Sequence, residues 1–371
     1  MRLTPVALAV LAAVAACGGD DGGSSSGTGF AAMLADVPAA AVEGELPMLS
    51  YVDMELLWSQ LGVAPDADDD ARLDAYAATP ANGRFVVPPR LFDQQSLMVD
   101  AAREEVGFDV LDVRRELAID APPSELRLVD VAVDAATIEE AVAADPTWRD
   151  RLRTVEHETG TYFDWTPGGD ADRELETDPV RRTPMRPLGI GGQLAVEDRG
   201  DDVRVVRTKE STLMLAALAR RDGDGESAAE EGPFAGADAA LEGDVLQVVG
   251  VGGSIEGTPA GLSPEQQAQL DAQVVHLEPY QAILVAEIVE DEATRVEVVL
   301  LHDDEDDAAA NEAAVRTLIA EGFTMSGRPA ADLLPGATVE ADGTVVRVTT
   351  EGGDLGHLYQ ALVRRDLFVT R

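Results

Sequence analysis

The stretch YQAILVAEIVEDEATRVEVVLLH (residues 280–302) contains two apolar runs on either side of a short acidic segment. Each run has the length of a β-strand, and a polar turn between two such runs predicts an antiparallel hairpin. The residues that follow, AAANEAAVRTLIAEG (308–322), place apolar side chains at helical spacing. The sequence therefore predicts a hairpin followed directly by a helix.

The same arrangement occurs twice more. GQLAVEDRGDDVRVVRT (192–208) precedes the helical pattern KESTLMLAALARR (209–221), and ATVEADGTVVRVTT (337–350) precedes GDLGHLYQALVRR (353–365). These hairpin-then-helix units predict an α+β fold, an antiparallel meander with helices on one face. Their unequal spacing is not that of a solenoid repeat, but it is compatible with an internal duplication.

Elements nearer the N-terminus are predicted from local signals. Asp53 and Asp134 stand where each would cap a helix that follows a strand, and Asp145 with Pro146 has the pattern of a third helix start. The predicted strands are 48–53, 125–134 and 157–165, and the predicted helices are 54–61, 91–106, 135–145 and 145–152.

Composition shifts divide the chain into five parts. Apolar residues vanish in RDGDGESAAEEG (221–232), which favours a linker there. The predicted division is a signal peptide (1–16), a cysteine with a flexible tether (17–29), a first α+β region (30–221), an acidic linker (222–232) and a second α+β region (233–371).

The chain is strongly acidic, with a net charge of −42 from 70 acidic and 28 basic residues. Such a surface repels phosphate backbones, so nucleic-acid binding is disfavoured, while loose association with divalent cations is expected. Lys209 is the only lysine, which a GC-rich genome explains because its codons favour arginine. The acidity itself has two interpretations, the same base composition or adaptation to salty or alkaline surroundings.

Cys17, the only cysteine, lies in VLAAVAACGGDDGGSSSGTG (10–29). The apolar run before it, Leu3 to Ala16, is too short to span a bilayer core of about 30 Å and has the length of a secretory signal. VAAC (14–17) resembles the lipobox of bacterial lipoproteins. The resemblance implies that the Cys17 thiol is diacylated and that the protein is a lipoprotein on the extracytoplasmic face of the cell membrane. A plain secretory signal with an incidental cysteine is the alternative.

A second resemblance covers most of residues 30–250. The strand ending in YVD (51–53), the segment closing on YFDW (162–165), GGQLAV (191–196) and PFAGADAAL (233–241) together resemble lipoproteins of unknown function from high-GC Gram-positive bacteria. The resemblance implies a surface location, and it transfers no catalytic residue to this chain.

No cofactor, metal or catalytic residue is predicted. The four histidines (His157, His276, His302 and His357) are far apart, and two at strand ends, His157 and His302, are interpreted as structural. Acidic runs at 66–77 and 222–233 lack the glycine and glutamate of a calcium-binding loop. The glycine-rich run 250–257 lacks the spacing of a phosphate-binding loop.

Arg181, Arg182 and Arg186 are the weak candidates for ligand contacts, because clustered guanidinium groups bind anions. The alternative is pairing with local carboxylates such as Glu174 or Asp178. Three aromatic residues (Tyr162, Phe163 and Trp165) are interpreted as core residues, with Phe163 and Trp165 on one side of their strand and Tyr162 on the other.

Three functions are compatible with these observations. The favoured one is a non-enzymatic binding or scaffolding module, lipid-anchored at Cys17, whose protein partner the sequence does not identify. The alternatives are the solute-binding lipoprotein of an importer and a hydrolase that uses paired carboxylates. An enzymatic activity is the less favoured expectation.

Overall fold

The computed structural model describes residues 29–64, 66–79, 84–92, 98–166, 179–186, 189–200, 202–253, 275, 277–290, 293–323, 328–353 and 355–363. The predictions for the signal peptide, Cys17, most of the tether, Glu174, Asp178 and His276 lie outside these residues.

Twelve strands form one antiparallel sheet, which confirms the α+β class. The strands are β1 (Met48–Asp53), β2 (Val113–Ala121), β3 (Ser124–Val131), β4 (Arg153–His157), β5 (Gly160–Asp164), β6 (Gln193–Asp198), β7 (Val203–Thr208), β8 (Asp244–Gly252), β9 (Ala282–Glu290), β10 (Ala293–Leu301), β11 (Thr338–Asp342) and β12 (Val345–Thr350). Their order is β11-β12-β10-β9-β8-β1-β2-β3-β7-β6-β5-β4.

The described helices are numbered here α1 to α9. They are α1 (Gly29–Ala35), α2 (Met54–Gln60), α3 (Asp69–Ala78), α4 (Val99–Val106), α5 (Ala135–Ala144), α6 (Ser211–Arg221), α7 (Ala237–Ala240), α8 (Glu305–Glu321) and α9 (Leu355–Val363). The three predicted hairpin-then-helix units are present as β6–β7–α6, β9–β10–α8 and β11–β12–α9. An internal duplication stays a prediction.

The sheet runs without interruption through both predicted α+β regions. β1 pairs with β2 of the first region and with β8 of the second. The segment between the regions packs against the N-terminal end of the fold, where the Ala228 N–H donates to the Val37 carbonyl at 2.8 Å and Ala228 is fully buried. The domain boundary at 222–232 stays a prediction, and the strands on either side of it belong to the same sheet.

Helices cover both faces of the sheet, so the expectation of helices on one face was wrong. On one face, α1 and α6 bury Phe30, Met33 and Leu213 with sheet residues such as Leu117. On the other, α2, α4, α5, α8 and α9 pack over a second core. Both faces need cover because most strands bury consecutive residues, as in β7, where every residue is buried.

Two helix starts follow the predicted capping. The Asp53 carboxylate accepts a hydrogen bond from the Leu56 N–H at 2.9 Å, and Asp134 does the same for Thr137 at 2.9 Å. Each cap satisfies one of the amides that the first turn leaves without an intrahelical partner. These two helices are therefore specified locally.

Two of the helix predictions were wrong, and one strand was missed. The helix predicted over 91–106 begins only at Val99, and strand β2 was not predicted. Residues 145–152 form turns rather than a helix. Asp145 ends α5 and accepts from the Thr147 N–H two residues on at 2.9 Å, which makes a tight turn.

Residues 84–92 form an extended segment, called the strap here, that crosses the sheet on the α2 face. Three polar side chains from one row of paired residues across the sheet hold it: Glu287 of β9, Gln247 of β8 and Glu116 of β2. Val52 of β1 stands between them, opposite both Gln247 and Glu116. The strap is therefore bonded to strand side chains and not to strand backbones.

Candidate functional site

Arg186 lies in the interior of the fold, between two tryptophan rings. The centre of its guanidinium is 4.1 Å from the ring centroid of Trp165 and 4.9 Å from that of Trp148. Its Nη1 donates to Glu105 Oε1 at 2.6 Å, and the Asp145 carboxylate is 3.7 Å away. Burial lowers the pKa of Arg186 to about 10, so it remains charged at neutral pH. This arginine is structural and does not face solvent.

Glu105 at the end of α4 joins Arg186 to its own segment. Besides Arg186, the carboxylate accepts hydrogen bonds from the Met185 N–H at 2.9 Å and from the Thr183 hydroxyl. Burial raises the pKa of Glu105, and the charge of Arg186 opposes that rise. The segment 183–186 is thus fixed to α4 by one buried carboxylate.

Arg181 lies at the surface and is held from two sides. Its guanidinium makes a bidentate pair with Asp150 at 2.6 and 2.7 Å and lies 5.7 Å from the ring centroid of Trp148. The Trp148 indole N–H donates to the Arg181 carbonyl at 3.1 Å. The hydrogen bond from Arg181 lowers the pKa of Asp150. The orientation of this guanidinium is therefore fixed.

Three further arginines lie next to Trp148 or Arg181, either in the chain or in space: Arg149, Arg151 and Arg182. Arg151 lies 5.8 Å from the Trp148 ring centroid and is half-buried. Arg149 and Arg182 are exposed, and within the described part of the chain neither guanidinium group makes a hydrogen bond or an ion pair. We call Arg149, Arg151, Arg181 and Arg182 the arginine cluster. Together with Asp150, these four arginines carry a net positive charge, whereas the whole chain has a net charge of −42.

Most other arginines in the described ranges are used inside the fold. Arg127 pairs with Asp120 at 2.5 Å, and Arg207 pairs with Glu125 at 2.8 Å. Comparable ion pairs involve Arg84, Arg90, Arg103, Arg114, Arg115, Arg153, Arg199, Arg204, Arg295 and Arg347. The arginine cluster differs from these because the side chains of Arg149 and Arg182 have no partner among the described residues.

The structure exposes Arg182, leaves Arg181 half-buried and buries Arg186, although Arg181 and Arg186 both contact the ring of Trp148. Among the described residues, Arg181 pairs with Asp150 and Arg186 with Glu105, which are 31 and 81 residues away, whereas pairing with Glu174 or Asp178 lies outside these residues and stays a prediction. Sequence reasoning missed Arg149 and Arg151, although WRDRLR (148–153) has three arginines at alternate positions in an acidic chain. That local excess of positive charge was the available signal.

The aromatic and histidine predictions have clear outcomes. Trp165 packs in the core beside Phe163, and Tyr162 is buried on the opposite face, which confirms their interpretation as core residues.

His302 Nδ1 donates to the Thr344 carbonyl at 3.1 Å, and His302 Nε2 accepts from the Asn311 amide at 2.8 Å. Burial lowers the pKa of His302, and its structural role is confirmed. His157 is exposed and bonds to the Thr159 hydroxyl at 3.0 Å, and His357 lies on α9.

Metal-binding clusters and membrane-spanning helices are both absent from the described residues. No group of three or more His, Cys, Asp or Glu side chains among them is placed to hold a metal ion. None of the helices described is both long enough and apolar enough to span a bilayer.

Comparisons with known proteins add little. No protein family matches the chain, and no curated protein matches it. Crystal form I of TP0453 has a TM-score of 0.34 and 10% identity, covering 88% of this chain and 97% of that one. Crystal form III of TP0453 has a TM-score of 0.35 and 10% identity, with coverages of 87% and 98%. A likeness this weak identifies neither a fold family nor a function.

Proposed function

We propose that this chain is a lipid-anchored extracytoplasmic protein, held by Cys17, whose folded part is a non-enzymatic module that binds an anionic partner at the arginine cluster. One observation carries the binding proposal. Arg149 and Arg182 are exposed and without an acidic partner among the described residues, on a chain that is otherwise strongly negative.

The chemistry of the arginine cluster suits carboxylate or phosphate groups. A guanidinium presents a planar set of N–H donors that matches two oxygens of such a group. The guanidinium group of Arg181 is already engaged by Asp150 and Trp148. Arg149 and Arg182 remain available to donate. The negative surface elsewhere repels anions, so a bound anion is directed to this cluster.

The anchor proposal is supported by the sequence around Cys17. Phe30 is fully buried and packs against Tyr51 with ring centroids 5.3 Å apart, so the chain that follows the proposed tether belongs to the folded part. A flexible segment of this length has a root-mean-square reach of roughly 20 Å. The module would lie close to the membrane surface.

Substitution of the cysteine tests the anchor. Expressed in a bacterium that lipidates exported proteins, the full chain is expected in the membrane fraction, with an intact mass that includes acyl chains. Cys17→Ser removes the thiol that would be acylated, so that variant is expected in the soluble fraction. If Cys17→Ser still partitions with membranes, the chain is not held by a lipid on Cys17.

A double substitution tests the arginine cluster. The probes are a labelled peptide of ten glutamates, which offers carboxylates, and inorganic tripolyphosphate. We expect the full chain to bind one of them and Arg149→Gln/Arg182→Gln to lose about tenfold in affinity, since two charge-assisted contacts are removed. Arg316→Gln is the control, because that exposed arginine on α8 is paired with Glu312 at 2.6 Å. Equal losses in both variants, or no binding of either probe, would refute the binding proposal and leave the anchor untouched.

A further inference from the structure

The groove between α3 and α4 is a second surface feature, separate from the arginine cluster and independent of the function proposed above. Its volume is about 500 Å³. Sites for small organic ligands have volumes of about 300–1,000 Å³. The groove is therefore large enough for a ligand of that class.

The walls of the groove are partly apolar. Leu73 of α3 and Val99 of α4 line it half-buried, and Leu111 is buried at its base. Met98 at the start of α4 is 49% exposed, which makes it one of four large apolar side chains that are exposed among the described residues. Methionine adapts its shape to apolar partners, so this wall suits the body of an organic ligand.

The charges on the groove are negative. Asp69, Asp70 and Asp100 line it, and Arg103 is the only basic residue among the described residues that do. Arg103 is already neutralised: its Nη2 lies 2.8 Å from Asp69 and its Nε lies 2.5 Å from the fully buried Asp109. In the ranges that the structure covers, Asp70 and Asp100 have no basic partner.

The helix ends do not cancel this charge. The aspartates stand in the first turns of α3 and α4, where each helix end carries roughly +0.5 of a charge. Two helix ends thus offset about one of the three carboxylates that line the groove. An anion is repelled from such a groove, and a cation is attracted.

From the apolar wall and the uncompensated carboxylates together, we propose that the α3–α4 groove binds an organic cation with an apolar body, of the quaternary ammonium or alkylamine class. The apolar part packs against Met98 and Val99. The positive group lies beside Asp70 and Asp100.

Two probes of matched shape test the proposal. Benzyltrimethylammonium and benzenesulfonate each have one aromatic ring and one charged group, of opposite sign. Binding to the full chain is measured by saturation-transfer NMR or calorimetry. We expect saturable binding of the cation and none of the anion. If both probes bind equally, or if the cation does not bind saturably, the proposal is overturned.

Two variants locate the binding. Asp70→Asn/Asp100→Asn removes the charges, and Met98→Ser removes the apolar wall. Each is expected to weaken binding of benzyltrimethylammonium by about threefold or more. Met98 is the N-cap residue of α4, and serine is a favourable N-cap, so the helix is expected to persist. The control Glu321→Gln removes an exposed charge from α8. If the control weakens binding as much as the groove variants do, the attraction is diffuse and the groove is not the site.

Discussion

Arg181, Arg182 and Arg186 are close in sequence but occupy three different environments. Arg186 is enclosed by two indoles and a carboxylate, Arg181 is pinned at the surface, and Arg182 is exposed. What separates them is the approach of Glu105 and Trp148 from other elements. A charge is stable in the interior only when such partners are in place.

The protonation state of Glu116 also depends on residues that approach it from other elements. It is buried beneath the strap and accepts hydrogen bonds from the Arg90 and Leu91 amides at 2.6 and 3.0 Å. Burial raises its pKa from 4.5 to about 7, although Arg127 opposes the rise. Between these values the folded state holds a proton that the unfolded state has released. The free energy of unfolding therefore falls as the pH rises from about 4.5 to about 7.

Glu116→Gln is expected to remove that loss. The amide cannot ionise and its oxygen still accepts from the strap, so the variant is expected to be more stable than the natural protein at pH 8, by on the order of 3 kcal/mol. At pH 4.5 the two are expected to be closely similar. Urea unfolding at both pH values measures the difference. An unchanged or lower stability at pH 8 would contradict the assignment.

Glu125 provides a control, because its pKa is shifted in the opposite direction to that of Glu116. Burial alone would raise its pKa, but Arg207, Arg127 and Lys209 together lower it to about 2. Its ionised form therefore contributes stability that is present above the unfolded pKa and is lost as the pH falls toward 2. Glu125→Gln is expected to destabilise the protein at pH 8, in contrast to Glu116→Gln.

At the scale of elements, the strap has no regular secondary structure, yet its backbone is satisfied. Gln247 Oε1 accepts from the Val87 N–H at 2.7 Å, and Gln247 Nε2 donates to the Phe85 carbonyl at 3.1 Å. The same amide nitrogen donates to Glu287 at 2.5 Å. One glutamine side chain thus replaces the strand partner that an extended segment would otherwise need.

Gln247→Met is expected to loosen the strap while leaving the sheet paired. Methionine is similar in length but leaves the Val87 N–H and the Phe85 carbonyl without partners, a cost of about 2–4 kcal/mol. Hydrogen exchange of the strap amides is expected to accelerate, with β8 and β9 still protected.

Gln281→Met is the matched control for this variant, because Gln281 is half-buried and its side chain bonds to the Asp303 carboxylate near the surface. We expect it to change stability by less than about 0.5 kcal/mol. Equal exchange rates in the strap of Gln247→Met and the natural protein would show that Gln247 does not hold it.

At the scale of the whole molecule, charges of both signs are buried, and the interior of the described residues holds ten carboxylates and four arginines. Arginines such as Arg127, Arg204 and Arg207 are buried and paired with carboxylates of other strands. The excess of acidic residues therefore lies mainly outside, and the net charge of −42 repels itself.

Salt is expected to stabilise the fold for this reason. The Debye length falls from about 30 Å at 0.01 M to about 3 Å at 1 M, so repulsion across the surface is progressively screened. We expect the melting temperature to rise by several degrees over this range. Sodium and tetramethylammonium chlorides are compared to separate screening from specific cation binding. A melting temperature that is constant or falls with salt would contradict this expectation.

Local patterns predicted the hairpins, two helix caps and the core role of Trp165, but not β2. Its sequence VRRELAIDA contains Arg114, Arg115 and Glu116, which interrupt the alternation typical of a strand. Their partners are remote: Asp202 is 88 and 87 residues from the two arginines, and the strap amides bond to Glu116. Similarly, Leu91 and Phe92 extended the predicted helical stripe, although both are buried at the end of the strap.

The sequence by itself determined the α+β class, the hairpin-then-helix units and the caps at Asp53 and Asp134, because each depends on residues within a few positions of one another. Only the tertiary structure decided that helices cover both faces, that the strap crosses the sheet, and which arginines are enclosed and which are exposed. Those outcomes depend on which distant carboxylate or indole reaches a given side chain, and burial of a charge is favourable only where that partner arrives.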